Sequence, residues 1–265
     1  MYTILKEHLS FRHQLLSLAK LDLTKTYRSA ALGWAWAIIQ PLTLLFVYWF
    51  VLHIGLHAKT TPDHISFLSW LMAGMIAWLF MSDMLNKGTA SIRSYKYLVT
   101  KMKFPVSVIP TFVGMARIFV HTLLLAIVLL YIGLHGEGPS MTWIQLPLYM
   151  LFMFAFFTAW SWFAAPLAAI SKDFENLVKT AVRMLFWLSG ILWNIQQMPI
   201  QWIKNVMLFN PISFFIEGYR DSILYNQWFY KDTKQLIIFC VMFALMIFIA
   251  GISYRRSREE LADAL

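Results

Sequence analysis

The sequence predicts an all-α integral membrane protein. Six transmembrane helices are expected, with an N-terminal amphipathic helix at the interface and short re-entrant outer helices between spans five and six. Three observations carry this. Of the 265 residues, 60% are hydrophobic and only 13% charged, where soluble domains carry about a quarter charged residues. Long apolar runs separate those few charges into clusters, and the mean hydropathy is +0.62. The Lys and Arg residues fall on alternate connections between the apolar runs. Together these exclude a soluble globular enzyme, a disordered tail and a disulfide scaffold. The single cysteine, Cys240, excludes an intramolecular disulfide and a thiolate metal site. The net charge of +9 would point to nucleic acid in a soluble chain. Here membrane topology accounts for it, and no nucleic-acid partner is expected.

Residues 1–30 carry no apolar signal-peptide core. Leu5, Leu9, Leu15, Leu16, Ala19 and Leu23 recur near helical spacing, with Lys6, Glu7, Arg12, His13 and Lys20 between them. That pattern suits a helix in the headgroup plane with its basic face toward anionic lipid; a helix packed on the rest of the protein is the alternative.

Residues 31–255 are expected to form the membrane domain, followed by a cytoplasmic tail over 256–265. A helix needs roughly 20 apolar residues to cross a hydrocarbon core of about 30 Å. Six stretches meet or approach that length: Trp34 to Leu56 with Pro41 inside it, Phe67 to Ser82 ending at Asp83, Val106 to Leu134, Ile144 to Ile170, Leu177 to Ile195, and Leu236 to Tyr254. One side of the membrane then holds sixteen Lys and Arg and the other five. Positive residues stay inside, so both termini are placed in the cytoplasm.

The segment 196–234 is too polar to span and too apolar for a wet loop. Asn210-Pro211 reads as a helix start, with Asn as the N-cap and Pro at the first helical position. Two short helices dipping into the outer leaflet fit this segment, and non-helical backbone at that depth needs cover from protein or a water-filled cavity. An interfacial lid is the alternative. The Ala-x-x-x-Ala pairs of the fourth span, among them Ala155 with Ala159 and Ala164 with Ala168, read as ordinary close packing.

No GxxxxGK[ST] loop, HExxH, GxSxG or EF-hand loop is present, so the chain has no phosphate loop with which to hold ATP. No two acids pair inside a span, and the seven histidines lack ligand spacing. A transport role is therefore favoured over catalysis. A membrane-embedded transferase would have only Asp83 and Glu137 as isolated candidates, and a passive channel would not need a basic cytoplasmic segment.

Four segments, in order along the chain, carry a resemblance. Tyr27 to Trp36 followed by Gln40-Pro41, Leu98 to Pro105, Lys172 to Val178, and Asn210-Pro211-Ile212 with Glu217 to Asp221 together resemble the permeases of type-2 ABC polysaccharide exporters. At Lys172 the family's usual Arg is replaced. Asn176 to Asn194 and the short tail draw the resemblance toward the teichoic acid translocation permeases; O-antigen or capsular polysaccharide permeases are the alternative. The resemblance implies a homodimeric, multi-pass subunit of a bacterial cytoplasmic membrane. Two copies of a cognate ABC ATPase would bind ATP and Mg, leaving this chain without a cofactor or enzymatic activity. The cargo would be an undecaprenyl-diphosphate-linked, anionic cell-wall polymer moving outward, in contact with membrane lipid.

Candidate roles follow. The connection 85–104 is the expected coupling segment. It holds Lys87, Arg93, Lys96, Lys101 and Lys103 and no acid, and Ile92, Tyr95, Tyr97 and Leu98 are there to fill a groove on the ATPase, with Arg93, Lys96 and Lys101 meeting its acids. Topology and anionic lipid alone would also explain those cations. Arg117 is the deepest fixed cation, with His121 one turn on and on the same face; no acid lies in any span to neutralise it. An arginine at mid-bilayer costs about 2.5–3.5 kcal/mol on insertion scales, so it must face protein or water. Arg117 and His121 are candidates for binding the cargo's phosphates. Trp34, Trp36, Phe46, Tyr48 and Phe50 are candidates by resemblance for flat surfaces along the conduit. Glu217 and Arg220, at i and i+3 with Asp221 beside them, form either an outer gate or a neutralising pair.

Overall fold

The computed structural model describes residues 2–28, 31–57, 65–102, 104–135 and 139–264, and of residues 2, 3, 5 and 257–264 only the backbone. Ser29, Ala30, Lys59, Lys103 and Glu137 lie outside the described residues. Every regular element among the described residues is helical: α1 (Tyr2–Ser10), α2 (Arg12–Tyr27), α3 (Trp36–Trp49), α4 (Phe67–Asp83), α5 (Thr89–Ser94), α6 (Lys96–Met102), α7 (Val108–Leu134), α8 (Leu146–Ile170), α9 (Lys172–Leu188), α10 (Gln201–Leu208), α11 (Pro211–Ile223) and α12 (Thr233–Ala264).

Five helical stretches are long and apolar enough to cross a membrane: Gly33–Gly55, Phe67–Met102, Val108–Leu134, Met141–Ile170 and Thr233–Arg256. The stretch expected as a fifth of six crossings behaves differently. It is helical only from Lys172 to Leu188, about 25 Å at 1.5 Å per residue. Its start is polar for a local reason. Ser171 caps it by accepting from the Phe174 amide, and Asp173 and Glu175 occupy the first turn, where carboxylates meet the positive end of the helix dipole. Turns then lead from Ser189 to α10 and α11, the two short helices expected over 196–234. Asn210 caps α11 as its sequence implies, accepting from the Ile212 amide at 3.0 Å with Pro211 at the first position.

α4 is the central helix, buried along nearly its whole length between α3, α7 and α11, while α12 and α5 pack on α8 and α2 packs on α7. Apolar area drives helices together weakly in lipid, so close approach between small residues has to supply the packing. α8 does this with Ala159, Ala164, Ala165 and Ala168, all fully buried. The Met84–Gly88 segment passes so near α8 that a Cβ on Gly88 would stand 2.1 Å from the Ser161 hydroxyl.

The connection 85–104, expected as a coupling segment, is not a free connection from Leu85. A wider helical turn over Met84–Gly88 carries α4 directly into α5, and α6 follows after a break at Tyr95. Thr89, Ser91 and Ile92 are consequently buried against α8 and its neighbours.

The N-terminal helices pack on the rest of the protein through one side. Ala19 and Leu23 pack into a cluster with Tyr95, Leu98 and Phe112, while Leu9, Leu16 and Leu21 face outward. The apolar residues thus split between a protein-facing and an outward-facing side. Contacts between His8 and Thr111 at 2.7 Å, and between Glu7 and both Ser107 and Tyr254, tie α1 to α7 and α12.

Candidate functional site

Arg117 and His121 do share one face of α7, and both are only 3% exposed. No acid inside a span was expected to neutralise Arg117, and its partner comes from elsewhere in the chain. Its Nη2 donates to the carboxylate of Asp22 on α2, and to the Thr26 hydroxyl at 3.3 Å. Asp83 at the end of α4 stands 3.8 Å from Nη1. The acid comes from outside the spans, from a helix 95 residues earlier. Asp22 also accepts from the Tyr95 hydroxyl, and Lys25 sits 4.8 Å above the Tyr95 ring. One carboxylate therefore joins the N-terminal helix, the segment after α5 and the third long helix.

A signal for Asp22 existed. It is the one acid in α2, and it stands at i+3 from Ala19 and i+7 from Leu15, on the buried side of that helix.

Arg117 and His121 line a cavity of about 330 Å³ between α3, α4 and α7, which Trp36, Gln40, Asp83 and Lys87 also border. The Arg117 guanidinium meets a carboxylate on both sides, Asp22 at Nη2 and Asp83 within ion-pair range of Nη1. Its Nε and Nη1 stay buried without a hydrogen bond among the described residues. His121 is held through its Nε2, 2.8 Å from the Tyr219 hydroxyl on α11. The cavity offers donors, a cation and an aromatic edge, the groups that receive a phosphate oxygen.

Of the aromatic conduit candidates, Trp34, Trp36, Phe46 and Phe50 are exposed. Tyr48 instead packs on Phe186 of α9, with ring centroids 5.0 Å apart. Trp36 alone among the five borders the Arg117 cavity.

The coupling candidates divide. Ile92, Tyr95 and Leu98, expected to fill a partner's groove, are 1%, 2% and 5% exposed. They are this chain's own core, because α2 covers Tyr95 and Leu98 and α8 covers Ile92. Arg93 is likewise engaged, donating to the Ala168 carbonyl at the end of α8 and lying 3.4 Å from Glu175. A cation at a helix C-terminus is favoured by the dipole. Glu175 also binds Lys179 at 2.5 Å, so it links α5 to α9. Lys96, Tyr97 and Lys101 remain exposed on α6.

Glu217 and Arg220 do pair, at 2.9 Å. Arg220 is fully buried, its guanidinium 3.4 Å from the centroid of the Trp70 ring. It donates to the Gly190 and Ile191 carbonyls at 2.8 and 2.7 Å. Those carbonyls follow the end of α9, so Arg220 closes the helix that stops early. Gly74 leaves the room for it: a Cβ there would lie 2.6 Å from Nη2. Trp70 and Gly74 were not singled out from sequence, since a stacked cation leaves no local pattern.

Comparison with known proteins adds the decisive observation. The sequence profile described as ABC-2 type transporter matches residues 13–224, well over half of the chain. The chain belongs to the ABC-2 type transporter family. It is 22% identical to the O-antigen export system permease protein RfbA of Myxococcus xanthus over 266 residues, covering all of both chains. A permease of the same name from Klebsiella pneumoniae is 23% identical over 77% of each chain. The polysialic acid transport protein KpsM of Escherichia coli is 22% identical, over 86% of this chain and 87% of its own.

In this ABC-2 chain, the four segments that carried the resemblance are dispersed through the fold. Tyr27, Gln40 and Pro41 border the Arg117 cavity. Leu98 lies under α2, Lys172 to Val178 start α9, and Asn210 to Asp221 include the Arg220 clamp. The chain is a multi-pass membrane protein of this transporter family, and its RfbA relatives are named as export permease proteins.

Proposed function

We propose that this chain is the membrane subunit of an ATP-driven exporter of a lipid-linked cell-surface polysaccharide of the O-antigen or capsular kind. The single observation that carries this is the end-to-end similarity to an O-antigen export permease within the ABC-2 family. That similarity supports the alternative reading in preference to teichoic acid, which none of the compared proteins names.

The chain acts as one of two copies in the bacterial cytoplasmic membrane, with both termini cytoplasmic. α9 and the α10–α11 pair complete a sixth crossing that ends in a re-entrant element. A separate ATPase supplies the energy, in keeping with the missing phosphate loop. It docks on the exposed side of α6, where Lys96, Tyr97 and Lys101 present two cations and a ring. Movement of α6 reaches Arg117 through Tyr95 and Asp22. The Arg117–His121 cavity receives the phosphates that join the glycan to its lipid, with Arg117 and Lys87 as its cations.

The test is deletion and complementation. Cells lacking this chain should lose the polymer from their surface and accumulate it inside, and affinity purification of the tagged chain should bring an ABC ATPase with it. An unaltered surface glycan profile would overturn the assignment. Chemical analysis of the retained polymer separates polysaccharide from polyol phosphate.

A further inference from the structure

α12 begins at Thr233 and reaches Glu7 through Tyr254, about 30 Å further on. Beside its start, at the end of the bundle remote from Glu7, a second cavity of about 520 Å³ opens between the start of α8, α11 and the 224–235 connection. That size falls within the range of about 300–1,000 Å³ typical of small-molecule sites.

Its walls are pre-formed. Gln145, buried at the head of α8, donates to the Gln227 carbonyl at 2.7 Å and accepts from the Phe229 amide at 2.9 Å. The Trp143 indole reaches the Ile223 carbonyl at 3.3 Å. Gly218 lies flush on the Tyr149 ring, where a Cβ would stand 2.4 Å from Cε1. A connection pinned in this way loses little freedom when a ligand binds.

The lining chemistry is specific. Tyr149 and Trp228 provide aromatic surface, and Gln227 and Gln235 provide amides that both donate and accept. Glu217, Asp221 and Asp232 face the space, and against them stands Lys231. Glu217 is bound to the buried Arg220, and Asp232 accepts from the Gln235 amide at 3.0 Å. The Asp221 carboxyl is the acid left among them. Aromatic faces take the C–H face of a sugar ring, while amides and carboxyls take its hydroxyls. The surplus of acids repels phosphate and carboxylate groups.

We propose that this cavity is a sugar-binding subsite, taking an uncharged or amino-bearing ring of the transported glycan and rejecting anionic ones. The assignment rests on the export reading above for the source of the ligand. It separates the two ends of the molecule by charge: cationic donors at Arg117 for the lipid phosphates, an acidic aromatic cavity for the glycan.

The experiment is saturation-transfer NMR on the full-length permease in phosphatidylcholine nanodiscs. Methyl glycosides of glucose, galactose and glucosamine are compared with methyl glucuronide and glycerol phosphate. Transfer is expected to the first three and not to the two anions. Trp228→Ala and Asp221→Ala should each weaken it about fivefold or more. Trp228→Phe, which keeps a ring on this exposed wall, should retain it and serves as the folding control. Transfer to none of the sugars, equal transfer to the anions, or unchanged transfer in both Ala variants would overturn the subsite. Surface glycan in deletion cells is read in parallel. Loss of glycan without sugar binding removes the subsite and leaves the export reading standing; binding with normal surface glycan does the reverse.

Discussion

Asp22 shows how one side chain organises several helices. Its carboxylate holds Arg117, accepts from Tyr95 and lies among apolar neighbours. Removing one member of a buried ion pair leaves the other charge uncompensated, at a cost of about 3–5 kcal/mol, whereas replacing both by apolar groups is often close to neutral. Asp22→Ala should therefore lower the thermal midpoint sharply, and Asp22→Leu with Arg117→Met should recover most of it; a double variant as unstable as the single one contradicts the pairing. At Gly74 an added methyl meets the Arg220 guanidinium at 2.6 Å. Gly74→Ala should cost about 1–3 kcal/mol through overpacking, measured by the same thermal scan, with Gly55→Ala, where a Cβ makes only an ordinary contact, as the control.

Among the elements, α5 and α6 behave unlike the connection their composition suggests. Five basic residues in twenty read as a solvated cytoplasmic segment, yet α2 lies over Tyr95 and Leu98 and α8 over Ile92. Placing Asp at both Tyr95 and Leu98 should abolish folding, seen as loss of the protein from the membrane fraction. Docking is tested on the other side of α6. Lys96→Glu with Lys101→Glu should weaken ATPase association and its dependence on salt, since exposed charges mainly set orientation and on-rate. Intact association at low salt would move the docking surface elsewhere.

For the whole molecule, the notable feature is an asymmetric envelope. α4 is buried along nearly its whole length, whereas Phe46 and Phe50 on or just after α3 and Met184, Trp187 and Leu188 on α9 face outward. Lipid covers such a face, and so does a second copy of the chain. We expect two copies per particle in native mass measurements, reduced to one by Trp187→Asp. A variant that remains paired would place the contact on another face.

Much of the architecture was legible in the chain because lipid imposes it. Backbone groups inside a bilayer must bond within their own segment, so apolar length alone announces helices at Trp34, Val106, Ile144 and Leu236. Asn210 and Pro211 declared their helix start through local chemistry, and Glu217 with Arg220 declared a pair through a spacing of three. What tertiary structure alone decided are partnerships that cross the chain. The carbonyls of Gly190 and Ile191, just beyond the end of α9, are bonded by Arg220, thirty and twenty-nine residues on. Arg117 is neutralised by an acid outside every span, and Tyr95 turns inward because α2 covers it. Hydropathy measures whether a residue prefers oil to water; it carries no information on which distant helix will be the oil.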